Sequence, residues 1–309
     1  ESEIRGHHAI GHGGDTIYFH SDLVLFPEFD TGVYVSYVTG GALARMELID
    51  AFVKRYFPDR MVQPPEPPDG FEERAKKVAG SYRFTRHNYS SFEKVTAMIS
   101  AVKVSPGPDG TVILNTPFGD PWHWVEVEPY FYQHVDSDWK LAFREDDGAI
   151  THAFISILPF MPLYRLAWYD TPVFNGVLRI LGVVFFVSTL VSAFRRRKTC
   201  REDPAGARAA MRLGVSVSAL SLLFLVCFAV VLAVTGEEIM YGIPFGITAA
   251  LVLPVVTTLL TIAVAFFAIR LWANGWWTVF RRIHYSVFAI LAIGWVWFYY
   301  YWNLLGWQY

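Results

Sequence analysis

The chain has 309 residues, enough for two or three domains, and is 53% hydrophobic and 17% aromatic with a formal net charge of −2. That charge balance, with no basic aromatic patch in the first half, gives no footing for a nucleic-acid partner. Its two cysteines, Cys200 and Cys227, offer neither a disulfide framework nor a paired-cysteine metal site.

In chain order, His7–Ile10 predicts a short strand. Thr16–Phe26 and Gly32–Val38 are β-branched and aromatic, and the turn "PEFDTG" between them predicts an antiparallel hairpin. Leu43, Met46, Ile49, Phe52, Val53 and Tyr56 follow at three-four spacing, so an amphipathic helix is expected, stopped at Pro58. Residues 1–57 therefore read as an α+β piece, antiparallel strands with a terminal helix, too small to hold a core alone. Residues 58–70 carry five prolines and read as a stiff linker. Residues 71–171 alternate short strand patterns with turns such as "PGPDG" and "EDDG", which predicts a small antiparallel β accessory domain, barrel-like or sandwich-like. The stretch "LPFMPLYRLAWYDTP" at its end has the aromatics and prolines of a membrane surface.

Residues 172–309 predict a four-helix transmembrane domain. Val173–Phe194, Leu213–Thr235, Ile243–Ile269 and Ile283–Leu305 each approach or exceed the roughly 20 apolar residues a bilayer requires. Arg195, Arg196, Arg197, Lys198, Arg201, Arg208 and Arg212 crowd the first connection, and Arg270, Arg281 and Arg282 the third. The second has only Glu237 and Glu238. The positive-inside rule then puts both basic loops in the cytoplasm and the N-terminal domains and C-terminus outside. The span interiors are nearly free of charge, so anchoring in the lipid bilayer is the simplest role for the bundle.

Near the start, "GHGGDTIYFHSDLVLF" admits three readings: a metal site, a flexible glycine-rich loop without chemistry, which the letters alone favour, or part of an active site. A metal reading would use His7, His8, His12 and His20. The glycines disfavour a helix there, and in a strand His8 and His12 stand about 13 Å apart, too far for one ion. No metal and no cofactor is expected. The whole segment from about Arg5 to Phe57, with its His12-Gly13-Gly14 triplet, strand pattern, "LFPE" turn and helix end, resembles the closing part of the beta-lactamase-related serine hydrolases. That family includes class C beta-lactamases and D-alanyl-D-alanine carboxypeptidases. Its members use a Ser-x-x-Lys nucleophile, a Tyr-x-Asn or Tyr-x-Ser motif and a third motif on an inner strand.

The resemblance implies that His12-Gly13-Gly14 is the third motif. His12 would bind substrate or tune proton transfer, and the Asp15 N–H would be one oxyanion donor. Imidazole anchors a carboxylate less firmly than a lysine ammonium, which points to a neutral ester or amide, with cell-wall peptide also in view. Tyr18 stands where many members carry glycine, and would either narrow the cleft or fill a packing site. Ser91…Lys94 and Ser100…Lys103 have the nucleophile's letters, as Tyr89-Ser90-Ser91 and Tyr301-Trp302-Asn303 have the second motif's. The Ser-x-x-Lys strings follow the third motif instead of preceding it and fall in strand-like sequence, so they read as chance. The resemblance thus implies a C-terminal part of a bacterial inner-membrane hydrolase, inactive alone, with its nucleophile upstream of Glu1. The competing reading is a non-enzymatic membrane protein whose outer β domain binds a ligand or partner.

Overall fold

The structure, a computed structural model, describes all residues except 17, 39–40, 42, 65, 109, 117–118, 199–200, 237–238 and 240; Cys200, Glu237 and Glu238 therefore lie outside the described residues. The chain divides into two compact units, Glu1–Arg86 with Ala101–Leu166, and His87–Ser100 with Ala167–Tyr309.

The first unit opens with a four-stranded antiparallel sheet in the order β1 (Ser2–Ile4), β2 (His7–Asp15), β3 (Phe19–Phe26), β4 (Thr31–Val38). Between β3 and β4 a 3₁₀ turn, Pro27–Phe29, ends at Asp30 in the left-handed region at φ 47°. Helix α1 (Ala44–Tyr56) buries Ile49 and Val53 against Ala9, Val24 and Phe26 of the sheet. Glu47 in its first turn and Lys54 and Arg55 in its last complement the helix dipole. The proline-rich segment is fastened within this unit: the Val62 carbonyl accepts from Gln133 Nε2 at 2.7 Å. Gly6, at φ +74°, passes so close to Arg60 that a Cβ would lie 2.7 Å from its carbonyl oxygen.

The expected β domain is a closed eight-stranded antiparallel barrel. Its strands are β5 (Gly80–Phe84), β6 (Ala101–Pro106), β7 (Thr111–Asn115), β8 (Trp122–Glu128), β9 (Phe131–His134), β10 (Lys140–Asp146), β11 (Ala149–Ile155) and β12 (Leu163–Arg165). Each pairs with its neighbour in sequence, and β12 closes on β5 through Leu163 opposite Phe84. Leu163–Arg165, expected at the membrane surface, is thus the strand that leaves the barrel without an edge. Fully buried Tyr82, Trp124 and Tyr132 fill the interior with Val102, Leu114 and Leu141. Helix α2 (Phe71–Val78) sends Arg74 to the fully buried Glu126, bonded at 2.7 to 3.0 Å.

The second unit contains four helices long and apolar enough to cross a membrane: Pro172–Arg195, Ala205–Thr235, Phe245–Ala273 and Val279–Tyr301. They comprise α3 (Pro172–Arg195), α4 (Ala205–Thr235), α5 (Phe245–Ala250) with α6 (Val252–Ala273), and α7 (Val279–Tyr301). Helix α4 begins eight residues before the expected span, because Pro204 precedes an alanine-rich first turn that favours helix. Residues 87–100, between β5 and β6, belong to this unit: Phe92 and Ala97 bury in the aromatic core of the bundle. Asn175 on α3 is fully buried and accepts from Trp302 Nε1 at 2.9 Å. His284 on α7 faces α3, with its Nε2 2.8 Å from Ser188 Oγ.

Candidate active-site strand

The His-Gly-Gly triplet lies in β2, and the two halves of that strand differ in their surroundings. His7, His8 and Ala9 pair with β1, whereas Ile10 to Asp15 pair with β3. Over Ile10–Asp15, among the described residues, the edge away from β3 is open.

The hydrogen-bond phase along that edge follows from the hairpin. Thr16 N–H donates to Phe19 O at 2.8 Å. The register continues unbroken from Asp15 opposite His20 to Ile10 opposite Leu25. In an antiparallel pair bonded and non-bonded positions alternate. Gly14, His12 and Ile10 therefore exchange bonds with β3, and the N–H and C=O groups of Gly11, Gly13 and Asp15 point to the open edge. The Gly13 and Asp15 N–H groups are two residues apart, about 7 Å along the strand. One oxygen can take only one of them, so an oxyanion held here needs its second donor from another element.

Side chains alternate across the sheet. His8, Ile10 and His12 lie on the face away from α1, and His12 is exposed. His7 and His20 lie on the α1 face, fully and nearly fully buried. His7 packs edge-on against Phe29 and Phe57, and its Nε2 lies 2.7 Å from Pro58 O. The four histidines are thus divided between the faces, and no group of three metal-ligating side chains converges among the described residues. Tyr18 is exposed beside the hairpin tip.

A polar cluster that the sequence reading did not foresee lies beneath the open edge. Arg45, on the first turn of α1 and nearly buried, donates from Nη1 to Asp15 Oδ1 at 2.6 Å and from Nε to Asp22 Oδ2 at 3.2 Å. His20 Nδ1 lies 2.8 Å from the same Asp15 oxygen. The Arg45 backbone N–H donates to Tyr37 Oη at 3.1 Å. Gly13 makes room for this arrangement: a Cβ there would stand 3.2 Å from Arg45 Nε and 3.4 Å from Asp22 Oδ2. The cluster tethers the Asp15 side chain below the sheet while its N–H faces the edge. One sequence signal was available, since Arg45 precedes Ile49 and Val53 at four-residue steps on the buried stripe of α1.

The motif strings downstream have other roles. Ser91 is the N-cap of a 3₁₀ helix, Phe92–Ile99, and its hydroxyl donates to Glu93 Oε2 at 2.7 Å. That corrects the strand-like reading of Ser91–Lys94. Lys94 Nζ donates to Tyr301 O at 2.6 Å, and Asn303 Nδ2 donates to the Tyr89 and Ser91 carbonyls. Lys103 lies on β6.

No family model matches the chain, and no curated protein matches it. Among solved structures, a crystal structure of SurE with D-Leu is similar over 51% of this chain and 35% of that one, at 13% identity and a TM-score of 0.30. This chain spans about a third of that protein's length, and the likeness is too slight to bear on fold or chemistry.

Proposed function

We propose that this chain is the C-terminal part of a membrane-anchored serine hydrolase related to the beta-lactamases, acting on a neutral ester or amide through an acyl-enzyme. The observation that carries the reading is the open β2 edge, where glycines expose strand backbone and the Asp15 N–H faces outward. His12 stands beside that edge on the face away from α1, and is assigned to substrate binding or proton transfer. The attacking serine would be acylated and then released by water, with the negative oxygen of each tetrahedral intermediate held by the Asp15 N–H and a second donor. The family's order puts that serine and its lysine N-terminal to the third motif, so they are assigned to sequence preceding these residues. Basic loops facing the cytoplasm of a bacterial inner membrane would place the hydrolase outside. The competing role of the barrel as a ligand binder finds less support, because large side chains occupy its interior.

The test is labelling of the full-length protein by a fluorophosphonate. Labelling is expected, to be lost when the serine of an upstream Ser-x-x-Lys is replaced by alanine and to persist in Ser91→Ala. Upstream sequence without that motif, or a label lost only in Ser91→Ala, would refute the proposal.

A further inference from the structure

We propose that the basic end of the four-helix bundle is a binding surface for anionic phospholipid headgroups. The spans are joined by short connections, so the end of α3, the start of α4, the end of α6 and the start of α7 share one end of the bundle. Arg195 to Lys198 closes α3 with four consecutive cations, all exposed. Arg201, Arg208 and Arg212 lead into and along α4, Arg270 lies near the end of α6, and Arg281 and Arg282 lie near the start of α7. Against these ten cations the same segments hold two acids, Glu202 and Asp203. Asp203 is engaged locally, accepting from Trp277 Nε1 at 3.0 Å and lying 3.8 Å from Arg281. The run from Arg195 to Lys198 has no carboxylate partner among the described residues.

Two features select phosphate of the bilayer as the occupant. Nine of the ten cations are arginine. Orientation in the membrane needs only positive charge, which lysine supplies equally, whereas the guanidinium fork matches phosphate oxygens in pairs. The arginines also lie over aromatic rings of the kind that settle at headgroup depth. Arg282 is 5.2 Å from the Trp272 ring centre, Arg281 4.3 Å from Trp277 and Arg270 5.9 Å from Trp276. Stacked there, the guanidinium groups meet the phosphate layer with little freedom left to lose.

The full chain, reconstituted in nanodiscs of equimolar phosphatidylglycerol and phosphatidylcholine and released for native mass spectrometry, tests the proposal by which lipid stays bound. Each cation near the surface is worth about a fivefold preference, so phosphatidylglycerol should be retained over phosphatidylcholine by at least about tenfold. Replacing the exposed run, R195Q/R196Q/R197Q/K198Q, should bring that ratio toward one. R195K/R196K/R197K should keep only part of it, since charge persists while the fork is lost. Equal retention of the two lipids by the unmodified chain would overturn the proposal whatever the variants do. So would unchanged retention by the glutamine variant, or displacement of the lipid by inorganic phosphate at ionic strength matched with chloride, which would assign the surface to a soluble anion.

Discussion

Arg45→Met removes the cation that joins two carboxylates beneath the open strand edge. At an effective dielectric constant of about 20, a pair of unit charges some 4 Å apart attracts by about 4 kcal/mol, and Arg45 faces Asp15 and Asp22 together. Desolvation of the nearly buried guanidinium offsets several kcal/mol of that. Asp15 keeps 39% of its side chain in solvent, which screens its share, whereas Asp22 keeps only 14%. The net loss should be about 2–3 kcal/mol, below the usual cost of breaking a fully buried pair. In a unit of this size that lowers the unfolding temperature by about 5–10 °C. The assay is thermal unfolding of the detergent-solubilised chain at low and high salt. Arg45→Lys should fall between wild type and methionine, because a point charge cannot reach both carboxylates as the fork does. Asp15→Asn with Asp22→Asn in the methionine background should recover part of the loss, since no carboxylate is then left without its cation. An Arg45→Met midpoint within about 1 °C of wild type would refute the reasoning.

Gly13→Val should destabilise by about 1–3 kcal/mol through the Arg45 clash, whereas Gly14→Ala, whose Cβ meets Ser21 Oγ at an ordinary 3.5 Å, should leave the unfolding midpoint near wild type; urea unfolding of the two compares them directly. In the barrel, Arg74→Met strands the Glu126 carboxylate and should cost about 3–5 kcal/mol, of which Arg74→Met with Glu126→Leu regains a part, measured by the same unfolding. Burial between Trp124 and Trp139 pushes the His134 imidazole below its ordinary value, and its Nδ1 accepts the Asp136 N–H, which only an unprotonated ring nitrogen can do. The unfolded chain then takes the proton first as pH falls, so stability present above about pH 6.5 declines below it; His134→Gln should flatten the unfolding midpoint between about pH 7 and about pH 5.

What could be read in advance was whatever repeats with a fixed period. The hairpin, the amphipathic stripe of α1, most of the barrel strands and the four spans each announce themselves within ten to thirty residues, as about 2.0- or 3.6-residue alternation or as unbroken apolar length. The polar cluster could not be read so, because Asp15, Asp22 and Arg45 come together only once the register of β2 on β3 and the docking of α1 are both fixed. Leu163–Arg165 has three residues between Pro162 and Leu166, too few to show alternation, and earns its place only by closing a barrel already seven strands round. Ser91–Lys94 misled in the opposite direction. Its apolar letters suggested a strand, but Ser91 with Glu93 two positions on caps a tight turn whose apolar side is taken up by Phe92 and Ala97.

The sheet itself bears on the proposed hydrolase. Leu23-Val24-Leu25-Phe26 is apolar on both faces of β3: Val24 and Phe26 are covered by α1, whereas Leu23 and Leu25 are exposed. On that same uncovered face Phe19 is 62%, Tyr34 69% and Val38 61% exposed, the Phe19–Val38 pair being separated from the Leu23–Tyr34 pair by Ser21 opposite Ser36. A sheet with one face meant for water alternates apolar with polar residues, and the Leu23–Phe26 stretch of β3 does not. That stretch has the composition of a strand covered on both sides. Nothing among the described residues of this unit supplies the second cover. Under the proposed function, a domain contributing its nucleophile to the open edge of β2 would have to approach the sheet closely, and packing over this face would give it that approach. If the proposed function holds, the segment carrying the serine is expected to be the one that covers Leu23, Tyr34 and Val38. Charged residues placed on that face, Leu23→Asp or Tyr34→Asp, should abolish fluorophosphonate labelling of the full-length protein while leaving the unfolding of the 309-residue chain unchanged.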